Sequence, residues 1–125
     1  MAQKFGMKDG GKRTSYATGA VREPQDVSKG RYDLLSPIAL RRLAQHYATG
    51  AEKYGASNMR KGLPLSRYLD SGMRHFTQLL AGDTSEDHCA AVLWNLCEFL
   101  HTQDRIVAKV LSADLDDLQT LDPHR

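Results

Sequence analysis

From Cys89 to Leu100 the chain reads Cys-Ala-Ala-Val-Leu-Trp-Asn-Leu-Cys-Glu-Phe-Leu, apolar everywhere except Asn95 and Glu98. A segment apolar on nearly all sides is a buried, central helix. It is too short to cross a bilayer, which takes about 20 apolar residues. The rest of the chain must therefore supply helices that cover it. His88, Asn95 and Thr102 recur every seven residues along the same segment, with Glu98 close to that line. A polar stripe on such a helix must find partners, either within the bundle or in a ligand cavity. Helical character extends through Ile106, Val107, Val110 and Leu111, as one piece or after a break near Thr102.

Two further helices are legible upstream. Ser36 is a good N-cap and Pro37 fits a first helical position. Leu40, Leu43, Ala44, Tyr47, Ala51 and Tyr54 then form one stripe, and Gly55 ends it. Residues 55–64 read as a loop. A second stripe runs through Leu65, Tyr68, Leu69, Gly72, Met73, Phe76, Leu79 and Leu80 to Gly82. Residues 82–87, Gly-Asp-Thr-Ser-Glu-Asp, are a polar turn into the apolar helix. No strand pattern is visible, so the expected fold is all-α, a small helical bundle.

With 125 residues, 41% hydrophobic and 26% charged, the chain has the length of one domain. Residues 1–30 read as a flexible basic arm, 31–111 as the helical domain and 112–125 as a frayed acidic tail. The first 31 residues carry seven Lys/Arg against three acids, but the whole chain is only +2. That is too little for a dedicated nucleic-acid binder, so no nucleic-acid partner is expected. The basic N-terminus lacks the apolar core of a secretory signal. Cys89 and Cys97, two helical turns apart, read as small buried hydrophobes rather than a disulfide or metal pair.

Phosphate-binding glycine loops and nucleophile motifs are missing, so any chemistry comes from side chains projecting between helices. Asp83, Glu86 and Asp87 are carboxylates suited to Mg²⁺ or Mn²⁺, or to capping the helix that follows. His88 has three readings: metal ligand, phosphate donor or satisfied first-turn residue. Asp70 and Arg74, with His75 beside them, form an exposed i,i+4 pair or a phosphate site. Glu52, Lys53 and Tyr54 end the first helix, solvated or facing a ligand.

The runs Arg31-Tyr32-Asp33-Leu34-Leu35-Ser36-Pro37 and Gly50-Ala51-Glu52-Lys53-Tyr54-Gly55-x-x-Asn58 resemble a phage dATP/dGTP diphosphohydrolase family, the MazZ group of MazG-like proteins. Arg67-Tyr68-Leu69-Asp70, Arg74-His75, Gly82-Asp83, Asp87-His88 and Trp94-Asn95 carry the resemblance onward. Members often have Asn-Trp where this chain has Asn58-Met59. They often have a second His where it has Ala91.

The resemblance implies a MazG-like bundle, dimeric or tetrameric, in the cytoplasm of a phage-infected host. It implies cleavage of a deoxynucleoside triphosphate, dGTP and/or dATP, with two or more Mg²⁺ or Mn²⁺. A pyrimidine substrate stays open, as does a non-catalytic interaction protein. On this reading Asp70, Asp83 and Asp87 are the catalytic carboxylates and metal ligands, with Glu52 and Glu86 behind them. Lys53, Arg74 and Arg31 neutralise phosphate, and His75 and His88 lie in the nucleotide site. Tyr54, Asn58 and Asn95 meet base or sugar, since an amide offers donor and acceptor together.

Overall fold

The computed structural model describes residues 11–118. The chain divides into two compact units, residues 1–35 and 36–125. The described part of the first is not the featureless arm that its composition suggests. It holds a short antiparallel hairpin, β1 (Thr14–Ser15) with β2 (Val21–Arg22), Thr14 opposite Arg22. Two 3₁₀ turns follow, Val27–Lys29 and Tyr32–Leu34. Strands of two residues carry no alternation, so no pattern announces them. The tight turn does: Gly19 donates to the Tyr16 carbonyl at 2.9 Å.

The second unit is built on α1 (Pro37–Tyr54), α2 (Leu65–Leu80) and α3 (His88–Val107). Ser36 caps α1 by accepting from the Ala39 N–H at 3.2 Å. α3 runs unbroken past Thr102. It ends where Lys109 takes a left-handed conformation, φ 61°, the place usually given to glycine. α3 lies against both other helices. Gly72 of α2 is buried against α3, where a Cβ would sit in ordinary contact with the Asn95 Cβ at 3.6 Å.

The face of α3 turned inward is the polar one, the first of the two arrangements that the sequence leaves open. His88, Asn95, Glu98 and Thr102 are buried, with Ala90 and Ala91, against Leu65 and Tyr68 of α2. The leucines of α3 point out: Leu93, Leu96 and Leu100 are 37%, 47% and 64% exposed, while Trp94 packs among His46, Tyr47 and Tyr68. On α2, Met73, Phe76 and Leu80 are exposed as well. The all-apolar helix is central in the chain, but its polar stripe makes the intrachain core.

That stripe is satisfied. The Tyr68 hydroxyl meets Thr102 Oγ1 at 3.1 Å and accepts the Leu63 N–H at 3.0 Å. Glu98 accepts from the Tyr47 hydroxyl at 2.5 Å and from Arg60 Nη1 at 3.0 and 3.1 Å. Asn95 donates to the Ala91 carbonyl at 2.8 Å. The acidic tail is ordered as far as it is described, with a 3₁₀ turn at Ala113–Leu115. Asp117 there accepts the Ser66 N–H at 2.9 Å and the Ser66 hydroxyl, in the first turn of α2. Pro64, the N-cap of α2, supplies no capping side chain.

Candidate metal and nucleotide site

α2 ends in a tight C-terminal motif. Gly82, at φ 81°, donates to Leu79, and Asp83 donates to the Gln78 carbonyl at 3.1 Å, the paired bonds of a Schellman ending. Only a residue without Cβ takes that conformation at no cost. The turn brings Asp83 back against the first residue of α3, His88.

Asp83 Oδ2 accepts from His88 Nε2 and from the Ser85 hydroxyl, the latter at 2.6 Å. A carboxylate only accepts, so His88 Nε2 is the donor in that bond. Nδ1 faces His75 Nδ1 at 2.9 Å and Glu86 Oε2 at 4.0 Å. One ligand atom from each of His75, Glu86 and His88 lies within 4.8 Å of the others. The group could hold one metal ion. A carboxylate behind a liganding histidine is the usual way of fixing its tautomer.

The electrostatics agree with that chemistry. His75 is held below the ordinary imidazole pKa, first by burial, then by the positive potential of His88, Arg74 and His46, against an opposing Glu86. A neutral imidazole is the form that binds metal. Glu86 also borders a cavity of about 300 Å³ between α1 and α3, lined by Arg42, His46, Thr49 and Ala91.

The other predicted carboxylates are engaged elsewhere or apart. Asp87 caps α3, accepting the Ala90 N–H at 3.1 Å. It also holds Arg42 through two bonds of 2.6 and 2.9 Å. Arg42 first, and then the cap, draw its pKa down to about 2. Asp70 is exposed, 3.9 Å from Arg74. Glu52 and Lys53 are exposed at the end of α1, with Lys53 Nζ 5.7 Å above the Tyr54 ring. Arg31, in the other unit, is paired with Asp33.

Tyr54 and Asn58 do come together, in a second cavity of about 440 Å³ shared with Met59, Lys61, Tyr68 and Trp94. Asn95 is spent on Ala91 and on a 3.4 Å contact with Ser71. Three residues of this region lie outside the sequence-based set. Arg42 and His46 had no signal, because a charged or polar position on one helical turn reads as a solvated face. Glu98 had one, its place beside the seven-residue polar stripe.

No curated protein and no solved structure matches the chain. The family model described as dATP/dGTP diphosphohydrolase, N-terminal, matches residues 20–109. That span takes in the second hairpin strand, all three helices and every residue of both cavities, and the chain accordingly belongs to the dATP/dGTP diphosphohydrolase family.

Proposed function

We propose that the chain is a metal-dependent hydrolase converting dGTP and/or dATP to the monophosphate and pyrophosphate. The observation that supports this best is the His75–Glu86–His88 group, with Asp83 behind His88 and a cavity bordered by Arg42 in front of Glu86. Two imidazoles and one carboxylate suit Mn²⁺ better than Mg²⁺, which prefers oxygen ligands throughout. When bound, such an ion neutralises phosphate charge and lowers the pKa of water.

The residues divide the remaining work. His75, Glu86 and His88 supply the ligands, and Asp83 orients His88. Arg42, anchored by Asp87 through Nε and Nη2, keeps Nη1 for a phosphate oxygen, and Arg74 adds positive potential. Water adds to the α-phosphorus and gives up a proton to solvent while the bond to the α–β bridging oxygen breaks, and pyrophosphate leaves with that oxygen. Further ions expected from the resemblance would draw on phosphate oxygens and on exposed carboxylates such as Asp70 and Glu52.

The outward leucines of α3 and the exposed Met73, Phe76 and Leu80 of α2 support assembly into a closed homo-oligomer, a dimer or tetramer. In the setting that the resemblance implies, the enzyme works in the cytoplasm of an infected host. There it would shape purine deoxynucleotide pools for DNA containing 2-aminoadenine.

The test is incubation with each dNTP and Mn²⁺, with products separated by chromatography. Monophosphate plus pyrophosphate is expected. Diphosphate plus orthophosphate, or no turnover, would overturn the reading.

A further inference from the structure

Ser71, His75 and Gln78 stand at i, i+4 and i+7 on α2, one polar line along the helix. The first two find partners on the polar stripe of α3. Ser71 Oγ accepts from Asn95 Nδ2 at 3.4 Å, and His75 Nδ1 meets His88 Nδ1 at 2.9 Å. Gln78, the third, is left over. Its Oε1 is the one buried side-chain oxygen or nitrogen without a hydrogen-bond partner among the described residues. An open buried acceptor costs about 1–3 kcal/mol. Such an atom in a folded protein marks the place of a water, an ion or a reacting group.

The position of Gln78 narrows that choice. A helical side chain leans back over the preceding turn, which puts the Gln78 amide beside His75. Its main chain holds the other support of the group: the Gln78 carbonyl accepts the Asp83 N–H at 3.1 Å, and Asp83 takes His88 Nε2. His75 senses the charges of Glu86, His88 and His46. This side of α2 therefore faces the metal group, and the exposed Met73, Phe76 and Leu80 lie on another.

His75, Glu86 and His88 offer a cation three ligand atoms. An octahedral ion such as Mn²⁺ then has positions left for water. Water on a cation is polarised and donates strongly. The orphan oxygen of Gln78 is an acceptor in want of such a donor. Acceptors of this kind behind a metal's direct ligands tune its affinity.

We propose that Gln78 is a positioning residue of the metal group, its Oε1 accepting a hydrogen bond from a water in the cation's coordination shell. The assignment rests on the metal reading above, but not on hydrolysis or on the identity of the nucleotide.

The test uses the full chain with Mn²⁺ and no nucleotide. Gln78→Met keeps the length of the side chain and removes the acceptor. Its Kd for Mn²⁺, read by calorimetry, should rise roughly tenfold, the loss of one hydrogen bond. Solvent-water NMR relaxation should show as many coordinated waters as in the native protein, exchanging faster. Melting without metal should hold or rise, because the open acceptor is gone. Gln78→Glu keeps an acceptor oxygen and should not weaken Mn²⁺ binding. Should Gln78→Met fail to fold, Gln78→Ala tests the same loss.

An unchanged Kd in Gln78→Met would leave Gln78 holding a structural water only and overturn the proposal. A gain of one coordinated water in that variant would make Gln78 a direct ligand, and would overturn it too. Mn²⁺ affinity untouched by His75→Ala removes the metal reading itself. Affinity lost in His75→Ala but kept in Gln78→Met removes only the part given to Gln78.

Discussion

His75 and His88 meet Nδ1 to Nδ1 at 2.9 Å, and Asp83 has already claimed the other ring nitrogen of His88. Two lone pairs cannot face each other so closely unless a proton or a cation lies between them. The pair is therefore poised for exchange of one for the other. Titrating Mn²⁺ or Zn²⁺ should raise the melting temperature of the native protein, by mass action on the folded state. His75→Ala should abolish that rise. Calorimetric heats that match in the variant and the native protein would move the metal elsewhere.

Asp83 and Asp87 should part company. Asp83→Asn keeps a hydrogen-bond acceptor but loses the charge that fixes His88. Metal affinity should drop about 10–100-fold, with little change in melting. Asp87→Asn retains the cap and loses the ion pair with Arg42, costing up to about 1 kcal/mol. Asp87→Ala loses both and should cost about 1–2 kcal/mol. Denaturant titration and metal titration of the three variants check this.

The pH dependence has a definite sign. The folded pKa of Asp87 is lowered to about 2 from 3.8. Its contribution is therefore complete above the ordinary value and disappears as pH falls from about 4 to about 2. The melting gap between native protein and Asp87→Ala should close over that interval. The carboxylate is partly exposed, so the ion-pair share of the gap should shrink further in high salt. A gap that stayed constant down to pH 2 would contradict the assignment.

Much of this was legible from residues alone. Ser36-Pro37, Gly55 and Gly82 mark helix ends because capping is local chemistry, decided within four residues. The site was half legible. The turn from Asp83 to His88 stood out by its acids, but which acid caps and which backs a histidine depends on where Arg42 and His75 arrive in space. Both lie on faces whose orientation only packing decides. The direction of α3 was hidden for a similar reason. A helix apolar nearly all round gives no moment to orient it, so the polar stripe could point either way.

Lys109 offers a stabilising change. At φ 61° it ends α3 with bonds from Lys109 to Ile106 and from Val110 to Arg105. A side chain in that conformation costs about 1 kcal/mol or slightly more against glycine. Lys109→Gly should recover about 1 kcal/mol, roughly 4–8 °C for a unit of this size, read by thermal melting with turnover unchanged.

The outward leucines predict a mass. Light scattering at micromolar concentration should give a multiple of 13.9 kDa. Leu96→Glu, on the exposed face of α3, should shift it toward the single-chain value. A native protein at 13.9 kDa would leave that face without a partner copy.

Asp117 closes the first turn of α2 from 51 residues away, doing for that helix what its own N-cap, Pro64, does not. The same helix carries His75 near its other end. Residues 112–118 are thus mechanically in series with His75: removing them would unlatch α2 at Ser66, and fraying would start at the end opposite that histidine. Deleting residues 112–118 should be felt first as fraying at Leu65 and Ser66, and should reach His75 only if the unwinding runs the length of α2.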